Sequence, residues 1–166
     1  MKQCKHMTAD VFDNKRYRLN VGMVVVNQRG QLFWGRRSDL PDAWQFPQGG
    51  LLVGETPQEA LYRELQEELG LPPEAVELLY EMPQWLSYPL PKRLQQYGSK
   101  PFCLGQRQKW FLLRLLADDQ EIRLDYSPKP EFDEWCWVDY WYPLKHVVAF
   151  KRNVYQKVLT SFENLI

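Results

Sequence analysis

A single α/β domain built on a mixed β-sheet with helices packed against it is the fold class that this 166-residue chain predicts. Three observations lead there. Length and a 45% hydrophobic composition suit one compact domain, since domains usually hold roughly 100 to 200 residues. Short apolar, β-branched and aromatic runs separated by Gly, Pro and Asn read as strands. Only one sharply bounded helix and one amphipathic end segment interrupt those strands, so the order is not a regular βαβ alternation.

Residues 1–16, MKQCKHMTADVFDNKR, are polar and lack periodicity, which fits a flexible N-terminal extension. The domain then covers 17–166, opening at Tyr17. LNVGMVVVN (19–27) and QLFWGRR (31–37), joined by a turn around Gly30, predict a hairpin. SDLPDA (38–43) is loop, and WQFPQGG is a short extended piece broken by Pro47 and two glycines. A helix follows with Thr56 as N-cap, Pro57 at its first position, Glu59 closing a capping box and Gly70 as its stop. VELLYEMPQWLSYPL (76–90) reads as one or two strands interrupted by Pro83, and 91–101 as a basic and aromatic loop. QRQKWFLLRLLA (106–117) has the apolar run of a central strand, and DEWCWVDY (133–140) alternates as a half-buried strand does. Spacings of three and four between Val147, Phe150, Val154, Val158 and Phe162 predict an amphipathic helix over 147–165.

Twenty-one basic and 21 acidic side chains cancel, so attraction to nucleic acid has to come from local charge arrangement. Cys4, Cys103 and Cys136 lack CxxC spacing and support neither a disulfide framework nor a zinc site. No apolar run approaches the roughly 20 residues of a membrane span, and the N-terminal stretch lacks the hydrophobic core of a secretory signal. The expectation is a cytoplasmic protein with reduced thiols and no membrane partner.

The chemistry is concentrated in GGLLVGETPQEALYRELQEELGL, which carries five glutamates and one cation, Arg63. A helix advances about 100° per residue, so Glu64, Glu67 and Glu68 project within one sector. Carboxylates packed that closely resist ionising together unless a cation compensates. Oxygen-only clusters suit hard divalent ions such as Mg²⁺ or Mn²⁺. Leu61 and Leu65 anchor the neighbouring stripe to the sheet. The glycine-rich loop just upstream offers backbone N–H groups to phosphate oxygens, a combination suited to polyphosphate chemistry.

The same stretch resembles the Nudix box: Gly49, five residues, Glu55, seven residues, Arg63-Glu64, Leu65, any residue, Glu67-Glu68, any residue, Gly70, Leu71. The resemblance implies a Nudix-type α/β/α sandwich with a mixed sheet and a loop-helix-loop box, acting on a nucleoside diphosphate linked to another group. It implies two or more Mg²⁺ ions, with Mn²⁺ as a substitute, held by Glu64, Glu67 and Glu68, with one of these glutamates or a metal-bound hydroxide deprotonating the attacking water. Glu131 in PEFDEW matches a further metal-binding carboxylate. Gly49, Glu55, Arg63 and Gly70 are then structural, with Glu55 and Arg63 pairing to fix the loop on the helix.

The likeness runs from about residue 17 to 162, through YRLNVGMVVVN, LPKRL, KPFCLGQRQKWFLL, PEFDEWCWVDYWYP and VVAFKRNVY. Those segments are similar to the branch of the family that removes pyrophosphate from triphosphorylated 5′ ends of messenger RNA and so promotes its decay. A closely similar branch hydrolyses dinucleoside polyphosphates, and some Nudix domains only sense nucleotides; intact Glu64, Glu67 and Glu68 count against the latter. By position, Arg18, Arg37, Val148, Phe150 and Lys151 would surround the 5′-terminal nucleotides. Cations such as Arg36, Arg37, Lys92, Arg93, Lys100 and Lys109 also interleave with Trp85, Tyr88, Tyr97 and Phe150, as single-strand binding requires. Trp110, Trp135, Trp137 and Trp141 read as packing residues. The chain departs from the family pattern in its longer N-terminal stretch and in the loop SDLPDA.

Overall fold

The computed structural model describes residues 11–95 and 103–166. Its strands are Tyr17–Val26 (β1), Leu32–Arg37 (β2), Trp44–Gln45 (β3), Gln48–Gly50 (β4), Val76–Glu81 (β5), Leu86–Pro89 (β6), Gly105–Leu115 (β7) and Phe132–Val138 (β8). The α-helices are Pro57–Leu69 (α1), Tyr142–His146 (α2) and Arg152–Phe162 (α3). All eight strands join one sheet with the path β3-β2-β1-β7-β5; β8 pairs with β2, β4 with β1 and β6 with β7. β1 and β7 run parallel while the other pairs are antiparallel, which makes the sheet mixed.

Alternation along β1 sends successive side chains to opposite faces. Val21, Met23 and Val25 join Leu61, Leu65 and Leu69 of α1, with Phe111 and Leu113, in one core. Val24 and Val26 join Val154, Tyr155, Val158, Leu159 and Phe162, with Trp110 and Leu112, in a second. The three α1 leucines are fully buried, each contributing about 2 kcal/mol. Helices on both faces of the sheet give three layers. Gly22 opposes Trp110 across the β1–β7 pair, where a Cβ would lie 2.7 Å from the indole. Trp135 stacks on Phe33 at 5.4 Å, and Trp137 and Trp141 pack beside the two cores.

The hairpin between β1 and β2 is confined to its tip, Val26 opposite Leu32. Beyond it β2 turns away to pair with β8 and β3, and the freed lower edge of β1 is taken by β4, with Asn20 opposite Gly50 and Gly22 opposite Gln48. That fork brings the glycines of β4 under α1. α1 carries the full set of boundary contacts: Glu59 N–H donates to Thr56 Oγ1 at 3.2 Å, Thr56 N–H donates to Glu59 Oε2 at 2.9 Å, and Gly70 adopts φ 66°.

Two sequence expectations need correction. The final helix does not start at 147: Val147 and Val148 are extended, Ala149–Lys151 forms a 3₁₀ turn, and α3 begins at Arg152. Val147 and Phe150 still pack on the second core, so the apolar spacing was satisfied without a continuous helix. The strand expected over 133–140 spans Phe132–Val138, ended by a turn in which Tyr142 N–H donates to Asp139 O. Of the expected extension, residues 1–10, with Cys4 and His6, lie outside the described residues. Val11 packs against the first core, and its carbonyl accepts from Leu19 N–H at 2.8 Å. Among the described residues no helix is long and apolar enough to cross a membrane.

Candidate active site

Glu64 and Glu68 lie one helical turn apart on the side of α1 that faces β4, and both are buried, 8% and 4% exposed. Gly49 makes room for them: a Cβ there would land on the Glu64 carboxyl group. Gln48 N–H donates to Glu68 Oε2 at 3.3 Å. Burial, followed by the charges of Glu64 and Glu131, raises the Glu68 pKa well above the usual carboxylate range. Burial also raises Glu64, against the pull of Arg63. The two buried carboxyl groups act on one another, each resisting ionisation beside the other.

Arg63 ties this floor together. Its Nε and Nη2 donate to the two Glu55 oxygens at 2.7 and 2.9 Å, Nη2 donates to Gly50 O at 2.8 Å, and Nη1 donates to Glu64 Oε1 at 2.7 Å. Glu55 Oε2 accepts from Leu52 N–H at 2.9 Å, fixing the loop ahead of α1. Glu67 stands apart from the buried pair: its side chain is 48% exposed and meets Arg63 Nη1 only at 3.5 Å. Glu131, half-buried, sits in the turn before β8, where its carbonyl accepts from Ser38 N–H at 2.9 Å. Its charge reaches Glu68, Arg37 and Lys151, which places it across the cleft from α1.

Lys151 is 5% exposed, and its ammonium donates to Gln45 Oε1 at 2.8 Å and Gln48 Oε1 at 3.2 Å. Burial first, then the charge of Arg37, pulls its pKa down to about 7. Lys151 Nζ lies 5.9 Å from the Tyr88 ring, which in turn lies 5.7 Å from that of Phe150. Val148, beside them, is 41% exposed. Arg37 is engaged by Asp39 through both oxygens. The Arg18 guanidinium lies over Gly50, in the space a Cβ would fill. The cations farther out are committed elsewhere: Arg36 to Asp133 and Glu134, and Lys109 to Glu81 and Pro83 O. Tyr97 and Lys100 lie outside the described residues.

Sequence reasoning missed the amides that join these two groups. Gln108 Nε2 donates to Asn20 Oδ1 at 2.8 Å and Gln48 Oε1 at 3.3 Å, and Asn20, Gln45 and Gln108 are all buried. A polar side chain on a strand normally marks the solvent face. The signal available was register: Gln108 shares its face with Trp110, two residues on.

Among the described residues no three acidic, histidine or cysteine side chains converge closely enough to form a ready-made ion cage. The donors nonetheless fit a hard divalent cation. They are oxygen only, and two are buried together with raised pKa values, so a cation would favour their ionised forms.

Comparison with known proteins gives a match of residues 16–158 to the family described as NUDIX domain. An RNA pyrophosphohydrolase of Coxiella burnetii is 58% identical over 168 residues, covering 100% of this chain and 74% of that protein. Another from Hahella chejuensis is 55% identical over 152 residues, covering 92% of this chain and 94% of that protein. Among solved structures, the E. coli dihydroneopterin triphosphate pyrophosphohydrolase superimposes with a TM-score of 0.70 at 21% identity, covering 86% of this chain and 95% of that one. A C. elegans Ap4A hydrolase does so at 0.63 with 19% identity, covering 88% and 98%. At such identities these two likenesses concern the fold alone.

Proposed function

The chain belongs to the Nudix family, and from that membership we propose that it is an Mg²⁺-dependent RNA 5′ pyrophosphohydrolase. It converts 5′-triphosphorylated RNA to the 5′-monophosphate with release of pyrophosphate, or of two phosphates in succession. The observation that carries the reaction class is the buried Glu64–Glu68 pair beneath Gly49, in which Arg63 meets Glu64 but burial and the neighbouring carboxylates hold the Glu68 pKa up, a charge state that a divalent cation would relieve. Relatives named RNA pyrophosphohydrolase, 58% and 55% identical, supply the substrate class.

In this reading Glu64 and Glu68 offer oxygens from the floor, and Glu67 and Glu131 from opposite rims. Divalent ions bound among these oxygens would neutralise phosphate charge and make water a better nucleophile. Arg63 holds the Glu64 carboxylate and the Gly50 carbonyl in place, and Gln48 N–H holds Glu68. Water adds to one phosphorus, a P–O bond of the anhydride breaks, and a carboxylate takes the proton from the water. Arg18, Arg37 and Lys151 bring positive charge around the 5′-terminal nucleotides, while Val148 and Phe150 offer apolar surface to unpaired bases.

Product analysis on a triphosphorylated oligoribonucleotide, with and without Mg²⁺ and in parallel with diadenosine tetraphosphate, tests the proposal. A monophosphorylated product that appears only with the metal is expected. Negligible turnover of RNA beside rapid cleavage of the dinucleotide would overturn it.

A further inference from the structure

Asp39 belongs to the 38–43 loop, on sequence one of the two segments set apart from the family's pattern. The loop is fastened to the sheet and to the Glu131 turn: Arg37 N–H donates to Ala43 O at 2.8 Å, Ser38 N–H to Glu131 O at 2.9 Å, and Ser38 Oγ to Pro130 O at 2.5 Å. From that anchored position Asp39 takes one whole edge of the Arg37 guanidinium, Nε to Oδ1 at 2.9 Å and Nη2 to Oδ2 at 2.7 Å. The hydrogen bond to Arg37 is also the main reason that the Asp39 carboxyl titrates below its ordinary range. Such a two-point fork fixes the plane of the guanidinium. An exposed ion pair adds little to folding stability, so what this pair supplies is orientation.

Orientation decides what Arg37 can recognise. A phosphate binds the edge of a guanidinium through two parallel N–H groups, whereas an unpaired base stacks on its face. With the Nε–Nη2 edge occupied, the faces and the Nη1–Nη2 end remain. The charge of Arg37 is felt by Lys151 and Tyr88, and the Tyr88 and Phe150 rings pack together nearby. Beside the Lys151 ammonium this end of the cleft carries the Phe150 ring and the exposed Val148 side chain, flat and apolar surface that suits a base.

The geometry points to Asp39 as a positioning residue that takes the Nε–Nη2 edge of Arg37, fixes the plane of its guanidinium and presents its face to an unpaired nucleobase near the 5′ end of the substrate. The inference rests on the reading of Arg37 as a substrate contact. Steady-state kinetics on a triphosphorylated oligoribonucleotide tests it with Asp39→Asn, Asp39→Glu, Arg37→Ala and the Arg37→Ala/Asp39→Asn pair. Asp39→Asn should raise KM about three- to fivefold, the size of an exposed cation–π contact, with kcat unchanged. Asp39→Glu should recover part of the loss. The Asn effect should vanish in the Arg37→Ala background, and on an oligonucleotide whose first two nucleotides are abasic. A KM that falls and becomes more salt-sensitive would mean that the freed fork grips phosphate, and would overturn the inference. So would an unchanged KM, or an effect that persists without Arg37. If Arg37→Ala alone leaves KM untouched, the reading of Arg37 as a substrate contact fails as well. If it raises KM while Asp39→Asn is silent, only the role of Asp39 falls.

Discussion

Glu67 differs from its two neighbours in being largely solvated, and that makes it the cleanest residue on which to separate chemistry from folding. Glu67→Gln removes one donor oxygen without opening a cavity. Turnover should fall by about 10²- to 10⁴-fold, while the unfolding free energy measured in urea stays within about 0.5 kcal/mol. Lys151 makes the opposite case, a charge in a buried place. Its folded pKa is near 7 against an ordinary 10.5, so between those values the unfolded chain binds the extra proton and stability rises with pH. Thermal melts of the wild type should therefore gain on those of Lys151→Met from pH 7 to pH 9, and a constant difference would refute the buried-lysine account. Residues whose type alone limits their role were legible in the sequence: Glu55 pairs with Arg63, and Gly49 lets the Glu64 carboxyl group approach the backbone. The amides Asn20, Gln45, Gln48 and Gln108 were not, because burial of a polar group depends on partners from other strands.

Helix α1 shows how much of an element can be read when its ends are chemically marked. Thr56, Pro57, Glu59 and Gly70 fixed both boundaries, since each satisfies a backbone group or dihedral that few other residues can. Gly70→Ala would put a side chain at φ 66° with its Cβ 2.8 Å from Arg123 O and Cβ. A loss of about 1–3 kcal/mol in chemical denaturation is expected. Where such marks are missing, periodicity misleads. Val147, Phe150 and Val154 keep helical spacing across a break, because a 3₁₀ turn and an extended pair can present the same face to the core. The hairpin expectation failed at its base for another reason. Local sequence specifies a turn, but which strand fills the rest of an edge is decided by distant segments such as β8 and β4.

At the scale of the whole molecule, the site is a seam between two faces of one sheet and the loops that cross it. Binding of Mg²⁺ or Mn²⁺ to the folded form should stabilise it by mass action, by about 2.7 kcal/mol at one hundred times the dissociation constant. Calorimetry should show a higher Tm with metal, reversal by chelator, and no shift in a Glu64→Gln/Glu68→Gln variant.

The parallel pairing of β1 with β7 joins Tyr17–Val26 to Gly105–Leu115, so the middle of the sheet is closed by segments far apart in the chain. Contacts of that span form slowly. During synthesis, β1 must wait on the ribosome for β7 to emerge, with its valines available to chaperones. Catalytic competence thus arrives late in translation, and a nascent polypeptide stalled before residue 105 carries the acidic helix on a sheet that still lacks β7.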